Sequence, residues 1–216
     1  MEALGTNYIL NQFDPNSDDI AVVIKEFTLK KKADIFFDKY SEPYITSIAI
    51  SEKDAQSGSL SFNSLPFPNV RKGDTLSFDG VGHLIYGPSN PGSFLAYSIL
   101  FLESDKDVRE FGATLESIVQ SKAVKLGAKA LMAAAPTYGT AAMLLQEITQ
   151  FVAVQLKKNK DGELYRRNGT LLQDMIPPYD ILRTFKGEND YISAKTSVIP
   201  LSESNLLGSR VRQIGV

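Results

Sequence analysis

The amino-acid sequence predicts a mainly β protein, an antiparallel β-sandwich with an inserted helical hairpin. Residues 20–105 contain short runs rich in Val, Ile and Phe, and turn-forming residues separate these runs at short spacing. Over residues 108–157 the apolar residues change to helical spacing. Short β-type runs return over residues 160–201. The helical part is therefore predicted to be an insertion in a single domain that spans residues 1–216.

The first part of the predicted sandwich contains its clearest strands. Ile20 to Leu29 and Phe94 to Leu102 are dense in β-branched and other apolar residues, and Tyr44 to Ser51 alternates like a half-buried strand. Ala33 to Phe37 is a shorter candidate. Leu60 to Phe67 contains one proline and is followed by another, which favours an edge strand because proline cannot donate to a β-ladder.

Two dipeptides, Asp79-Gly80 and Asn168-Gly169, predict tight β-hairpins, because both residue types tolerate the left-handed backbone of a two-residue turn. The first hairpin is predicted to join Thr75 to Phe78 with His83 to Tyr86, and the second to join Glu163 to Arg167 with Thr170 to Leu172. The last two strands are expected before the C-terminal tail, at Ile181 to Phe185 and Tyr191 to Pro200.

The helical insertion is predicted to have two arms, from Val108 to Ala130 and from Thr140 to Leu156, with a break at Pro136. We expect both arms to pack on the protein, because neither holds the ~20 continuous apolar residues that a membrane-spanning helix needs. Three lysines on one face of the first arm suit an anionic membrane surface, although lysines on a helix more often simply face water. They are Lys122, Lys125 and Lys129.

The composition excludes several classes of function. A net charge of −2 lacks the positive field of a nucleic-acid-binding protein, so no nucleic-acid partner is expected. The chain has no cysteine, which excludes disulfides, thiolate metal sites and cysteine nucleophiles. His83 is the only histidine, and no metal-binding or nucleophile motif surrounds it, so we expect no enzyme. The N-terminus lacks the pattern of a signal peptide, which favours a cytoplasmic location.

Carboxylates gather in two separated stretches beside predicted strands. Asp38 and Glu42 precede the strand that starts at Tyr44. Glu103 and Asp105, with Asp107 after them, directly follow the strand Phe94 to Leu102. Clustered carboxylates repel one another, and a cation such as Ca²⁺ relieves that repulsion. A solvated acidic loop without any ligand is the plain alternative.

The two stretches together resemble the C2 domain family over about residues 20–112. Residues 38–45 (DKYSEPYI) resemble its first calcium loop, in which an Asp precedes a Ser-Asp-Pro-Tyr-Val-like run that enters a strand. Residues 103–112 (ESDKDVREFG) resemble its third loop, in which an apolar strand leads into an Asp-x-Asp pair. The resemblance implies an antiparallel sandwich whose loops at one edge hold calcium and dock on phospholipid. The ligands that it implies are Asp38, Glu42, Glu103, Asp105 and Asp107.

This sequence departs from the C2 pattern in two ways. Glu stands at Glu42 and Glu103, where the family usually has Asp, and the longer side chain changes the reach of each ligand. The helical insertion is foreign to the family. Many C2-like domains have lost calcium binding and serve as protein-docking modules, so a protein partner stays open beside calcium and lipid.

Three functions therefore remain open. The first is a non-enzymatic C2-like binding module that docks calcium, phospholipid or a protein partner through the acidic loops. The second is a membrane-active or pore-forming protein in which the hairpin over residues 108–156 rearranges. The third is a structural or assembly subunit whose sandwich provides the interaction surface.

Overall fold

The computed structural model describes residues 13–31, 41–57, 59–67, 69–80, 82–103, 117, 121, 138–158, 162–202 and 212–213. Within these residues the chain is mainly β, as predicted, and its strands form two antiparallel sheets. The strands are β1 (Asp19–Leu29), β2 (Pro43–Ser51), β3 (Ser61–Pro66), β4 (Thr75–Ser77), β5 (His83–Ser89), β6 (Phe94–Glu103), β7 (Gly162–Leu172), β8 (Thr184–Glu188), β9 (Ile192–Ser202) and β10 (Arg212–Gln213). The helices are α1 (Glu52–Ser57) and α2 (Tyr138–Lys158), and a 3-10 turn spans Pro178–Asp180.

The six-stranded sheet is built around the long antiparallel pair β1 and β9. Strands β4 and β5 follow one another along one edge of β1, and β8 and β10 pair with the other edge of β9. The hairpin predicted at Asp79-Gly80 is therefore wrong, because β4 and β5 both pair with β1. Between them Gly82 has φ +108°, and a Cβ there would lie 2.6 Å from the carbonyl oxygen of Ile24. Glycine thus lets one interrupted strand stay close to β1.

The four-stranded sheet has the order β3-β2-β6-β7. β3 lies at its edge, as its prolines predict. Every residue of β2 and β6 is buried, so the prediction of a half-buried strand for Tyr44 to Ser51 is wrong. Both faces of β2 are covered, one by the six-stranded sheet and one by α2.

β7 is one continuous strand that pairs with β6, so the hairpin predicted at Asn168-Gly169 is also wrong. The two turn-forming residues are used for packing instead. Gly169 lies opposite Tyr97, and the tyrosine ring occupies the space where a Cβ would be. On the other face, the hydroxyl of Ser98 donates a hydrogen bond of 2.8 Å to Oδ1 of Asn168. Tertiary contacts with β6 outweigh the local turn preference.

The main core lies between the two sheets, which is consistent with a sandwich. Phe27 of β1 and Phe101 of β6 meet across it with ring centroids 5.3 Å apart. Asparagine side chains link the sheets at both sides. Asn63 of β3 donates to the carbonyl oxygen of Leu84 in β5 at 2.8 Å, and Asn189 donates to that of Leu164 in β7 at 2.7 Å.

α2 confirms the second arm of the predicted insertion and its packing on the protein. Its buried side chains Ala141, Leu145 and Ile148 pack on the outer face of the four-stranded sheet, against Ile48 and Leu100. Of the first arm of the predicted hairpin, Val108 to Ala130, the structure describes only residues 117 and 121, and the strand candidate Ala33 to Phe37 lies outside the described residues. In the part of the chain that is described, no helix is both long enough and apolar enough to cross a bilayer.

α1 begins directly after β2 because two side chains cap its first turn. The backbone N–H of Asp54 donates to Oγ of Ser51, and the N–H of Ser51 donates to Oδ2 of Asp54, both at 3.0 Å. This reciprocal pattern is a capping box with Asp in place of Glu. Ala55 then packs against the outer face of the four-stranded sheet.

Candidate functional site

β2 begins and β6 ends at one edge of the four-stranded sheet, and we call this edge (Ser41, Glu42, Pro43 and Glu103) the carboxylate rim. Pro43 lies directly opposite Glu103 in the β2–β6 ladder, and Glu42 precedes Pro43. Neighbouring strands lie about 4.8 Å apart. The two acidic stretches of the sequence therefore start from adjacent strands at the same rim.

The backbone on both sides of Glu42 is held by hydrogen bonds. Ser41 and Val70 exchange two bonds, of 2.8 and 2.9 Å, and the N–H of Phe67 donates to the carbonyl oxygen of Pro43 at 2.8 Å. The Glu42 side chain is exposed, whereas Glu103 is only 8% exposed. Strand alternation puts Glu103 on the same face as Phe101, which points towards the core between the sheets.

One buried oxygen at the carboxylate rim has no partner among the described residues. Ser41 is 3% exposed, and its Oγ makes no hydrogen bond to any of them. A buried hydroxyl without a partner costs free energy, which a ligand at the rim would recover. Hydroxyl and carboxylate oxygens are hard donors of the kind that Ca²⁺ accepts.

The described residues supply only part of a calcium shell, which needs six to eight oxygen ligands. Among them, no three His, Asp or Glu side chains come together in a group that could hold a metal ion. The three other ligands implied by the C2 resemblance, Asp38, Asp105 and Asp107, lie outside the described residues, so their geometry stays a prediction.

Basic side chains lie at the same end of the molecule but on the other sheet. Lys30 donates to the carbonyl oxygen of Asn189 at 2.7 Å and lies 3.9 Å from the Glu188 carboxylate. The ammonium group of Lys31 is 5.2 Å from the ring centroid of Tyr191. Both lysines thus have partners on their own sheet. The predicted lysine face lies outside the described residues: Lys122, Lys125 and Lys129.

His83 packs beside an aromatic ring at the start of β5. Its ring centroid lies 5.6 Å from that of Phe78, and within the described residues its buried Nε2 has no hydrogen-bond partner. Burial lowers the pKa of His83 from its usual value, which favours the neutral imidazole.

The opposite end of the sandwich holds a polar network that the sequence analysis missed. Asn90 is buried there, and both the nitrogen and the oxygen of its side-chain amide are hydrogen-bonded. Its Nδ2 donates to the carbonyl oxygens of Asp18 and Pro15 at 2.8 and 3.0 Å. Its Oδ1 accepts from Nζ of Lys53 at 3.1 Å and from the N–H of Gly92 at 3.0 Å. One side chain thus joins the N-terminal loop, α1 and the β5–β6 turn.

Tyr179 fixes the loop between β7 and β8 to the same network. Its buried hydroxyl lies 2.6 Å from the carbonyl oxygen of Gly92 and 3.0 Å from that of Pro15. Burial raises the pKa of Tyr179 far above its usual value, so the hydroxyl stays a donor at all physiological pH values. Tyr179, Asp180 and Leu182 have φ of 52°, 54° and 64°. Such left-handed backbone costs ~1–2 kcal/mol at each non-glycine residue, and it persists where surrounding contacts enforce it.

This loop exposes two large apolar side chains, Met175 and Ile176, which we call the apolar tip. Met175 is 46% exposed and Ile176 is 89% exposed. Behind them, Arg183 pairs with Asp180 at 2.6 Å and donates to the carbonyl oxygen of Ile176 at 3.3 Å. The Pro177-Pro178 dipeptide indicates a turn here, but no local pattern predicts the left-handed residues that follow.

Comparison of the chain with protein-family models, with curated proteins and with solved structures gave no match.

Proposed function

We propose that the protein is a non-enzymatic binding module that docks on a phospholipid surface through the carboxylate rim, with Ca²⁺ as the bridging ligand. The observation that supports this most directly is the pairing of Pro43 with Glu103. It starts both acidic stretches from neighbouring strands, which is the arrangement that the C2 resemblance implies.

Three features of the rim support a cation as ligand. Glu42 offers an exposed carboxylate on a fixed backbone. Ser41 offers a buried oxygen that has no partner in the described part of the chain. Glu103, two residues before Asp105, begins the second acidic stretch. Bound Ca²⁺ would supply positive charge that draws in anionic headgroups, and the chain's own residues would hold it there: Asp38, Glu42, Glu103, Asp105 and Asp107.

Vesicle sedimentation tests the proposal. The chain is mixed with phosphatidylcholine–phosphatidylserine vesicles, once with Ca²⁺ and once with chelator. We expect binding with Ca²⁺ alone, and loss of that binding in Asp105→Asn. Asp174→Asn is the matched control, because it removes a carboxylate from the opposite end of the sandwich and should leave binding unchanged.

The other outcomes separate the remaining functions. Binding that does not depend on Ca²⁺ would contradict the proposal and favour a membrane-active protein that uses the helical segment. Failure to bind vesicles under both conditions would contradict it too, and would favour an assembly subunit or a protein-docking module.

A further inference from the structure

We propose that the apolar tip, Met175 and Ile176, is a second docking element, and that it inserts into an apolar pocket ringed by Lys and Arg on a protein partner. This surface lies at the end of the sandwich opposite the carboxylate rim. The two ends are separated by the ten residues of β6, a distance of about 33 Å. The inference therefore does not depend on calcium or lipid binding.

The tip is exposed and, at the same time, held by ordered structure. Before it, the Gln173 side chain donates to the carbonyl oxygen of Pro15 at 2.9 Å, and the Gln173 N–H donates to that of Ser93 at 3.0 Å. After it, the Tyr179 hydroxyl and the Arg183–Asp180 pair fix the returning chain. A large apolar side chain on a backbone that is already ordered loses little entropy on binding. Such side chains are typical anchors at the centre of an interface.

The charge around the tip indicates the chemistry of its partner. Among the described residues, the segments at this end are residues 13–19, 52–54, 87–93, 173–183, 201–202 and 212–213. They contain seven carboxylates and three cationic side chains, although the whole chain carries a net charge of only −2. Of the three cations, Arg183 is paired with Asp180, Lys53 is bonded to Asn90, and Arg212 lies opposite Ser202 in the β10–β9 ladder. The seven are Asp14, Asp18, Asp19, Glu52, Asp54, Asp174 and Asp180.

This charge favours a protein over a membrane. Anionic lipids give a membrane a negative surface, which repels an acidic surface. Positive side chains around a pocket would instead complement the carboxylates while the pocket buries Ile176. Complementary charge at the periphery of an interface guides the approach and selects the partner.

Panning a displayed library of random peptides on the immobilised full chain tests the inference, with the Ile176→Ser variant as counter-target. We expect enriched peptides to combine Lys or Arg with large apolar residues. In fluorescence anisotropy, a synthetic copy of an enriched peptide should bind Ile176→Ser at least about tenfold more weakly than it binds the parent chain. Truncating an anchor side chain at the centre of an interface typically weakens binding by at least that factor. Binding should also weaken as salt is raised.

A matched control separates the tip from exposed apolar side chains in general. Met143 on α2 is 67% exposed and lies on the far side of the four-stranded sheet. Met143→Ser should change the peptide affinity less than about twofold, and both variants should melt like the parent chain because both side chains face solvent.

Three results would overturn the inference. The first is equal binding of the enriched peptides to the parent chain and to Ile176→Ser. The second is enrichment of peptides without net positive charge. The third is a loss of phosphatidylcholine vesicle binding in Ile176→Ser with peptide binding intact, which would assign the tip to a membrane.

Discussion

The Asn90 side chain holds three segments of the chain together through one amide group. Replacing it with Ala would remove the side-chain donor to the carbonyl of Asp18 and the acceptor for the N–H of Gly92, while the carbonyl of Pro15 keeps its bonds from Gln173 and Tyr179. Because unpartnered buried polar groups cost ~1–3 kcal/mol each, we expect Asn90→Ala to lower the free energy of unfolding by about 2–4 kcal/mol in urea titrations.

Asn63 provides the control for this substitution. Within the described residues its side chain makes one hydrogen bond, to the carbonyl oxygen of Leu84. Asn63→Ala should therefore cost about 1 kcal/mol or less. Equal losses in the two variants would show that the network around Asn90 adds nothing to stability.

His83 should make stability depend on pH. Its pKa is lowered in the folded protein by burial, from 6.5 in the unfolded chain. As the pH falls below 6.5, the unfolded state therefore takes up a proton before the folded state does, and the free energy of unfolding decreases. The free energy of unfolding stops decreasing once the pH is below the pKa that His83 has in the folded protein.

The His83→Phe variant isolates this contribution, since it keeps a ring beside Phe78 and removes the titrating group. We expect the difference in unfolding free energy between the parent chain and the variant to be constant above pH 7. Below pH 6.5 the parent chain should lose stability relative to the variant. A difference that stays constant from pH 7.5 to 5 would contradict the burial of a neutral imidazole.

At the scale of elements, hydrophobic pattern and length predicted the strands that fill the core. β1, β6, β9 and the arm that became α2 lie within a few residues of their predicted bounds. The errors concern pairing. Asn168-Gly169 has the local preference of a hairpin turn, yet the ladder with β6 and the ring of Tyr97 keep it extended. Those contacts come from residues far away in sequence, so no local pattern contains them.

Gly169 allows this strand to be tested. A Cβ at position 169 would lie 2.3 Å from Cζ of Tyr97, a ring buried in the main core. We expect Gly169→Ala to lower the free energy of unfolding by about 1–3 kcal/mol, because the ring must shift inside a packed core. At Gly162 in the same strand a Cβ would meet no atom within 4 Å. Gly162→Ala should therefore be neutral or slightly stabilising.

A double-mutant cycle that combines Gly169→Ala with Tyr97→Leu tests whether the tyrosine ring causes the loss of stability. Removing the ring should abolish the extra cost of Gly169→Ala. If the cost persists with Leu at position 97, crowding by the ring is not its origin, and a turn at Asn168-Gly169 becomes the better explanation.

For the whole molecule, the sequence predicted two antiparallel layers with a helical addition, and the strands next to the two acidic stretches begin and end within one residue of their predicted bounds, at Pro43 and Glu103. It could not show that β2 and β6 are neighbours whose first and last residues pair, because register depends on the complete sheet. It also missed the network around Asn90 and Tyr179, since its bonds join residues that are distant in sequence.

The central claim is that the carboxylate rim binds a cation, and a thermal melt in Ca²⁺ and in chelator tests it most directly. A ligand that binds only the folded state at a hundredfold excess over its Kd adds about 2.7 kcal/mol. For a chain of this size that corresponds to a rise in Tm of about 5–10 °C. We predict this rise in the parent chain and in Asp174→Asn, and its loss in Asp105→Asn. An identical Tm with Ca²⁺ and with chelator in the parent chain would contradict the claim.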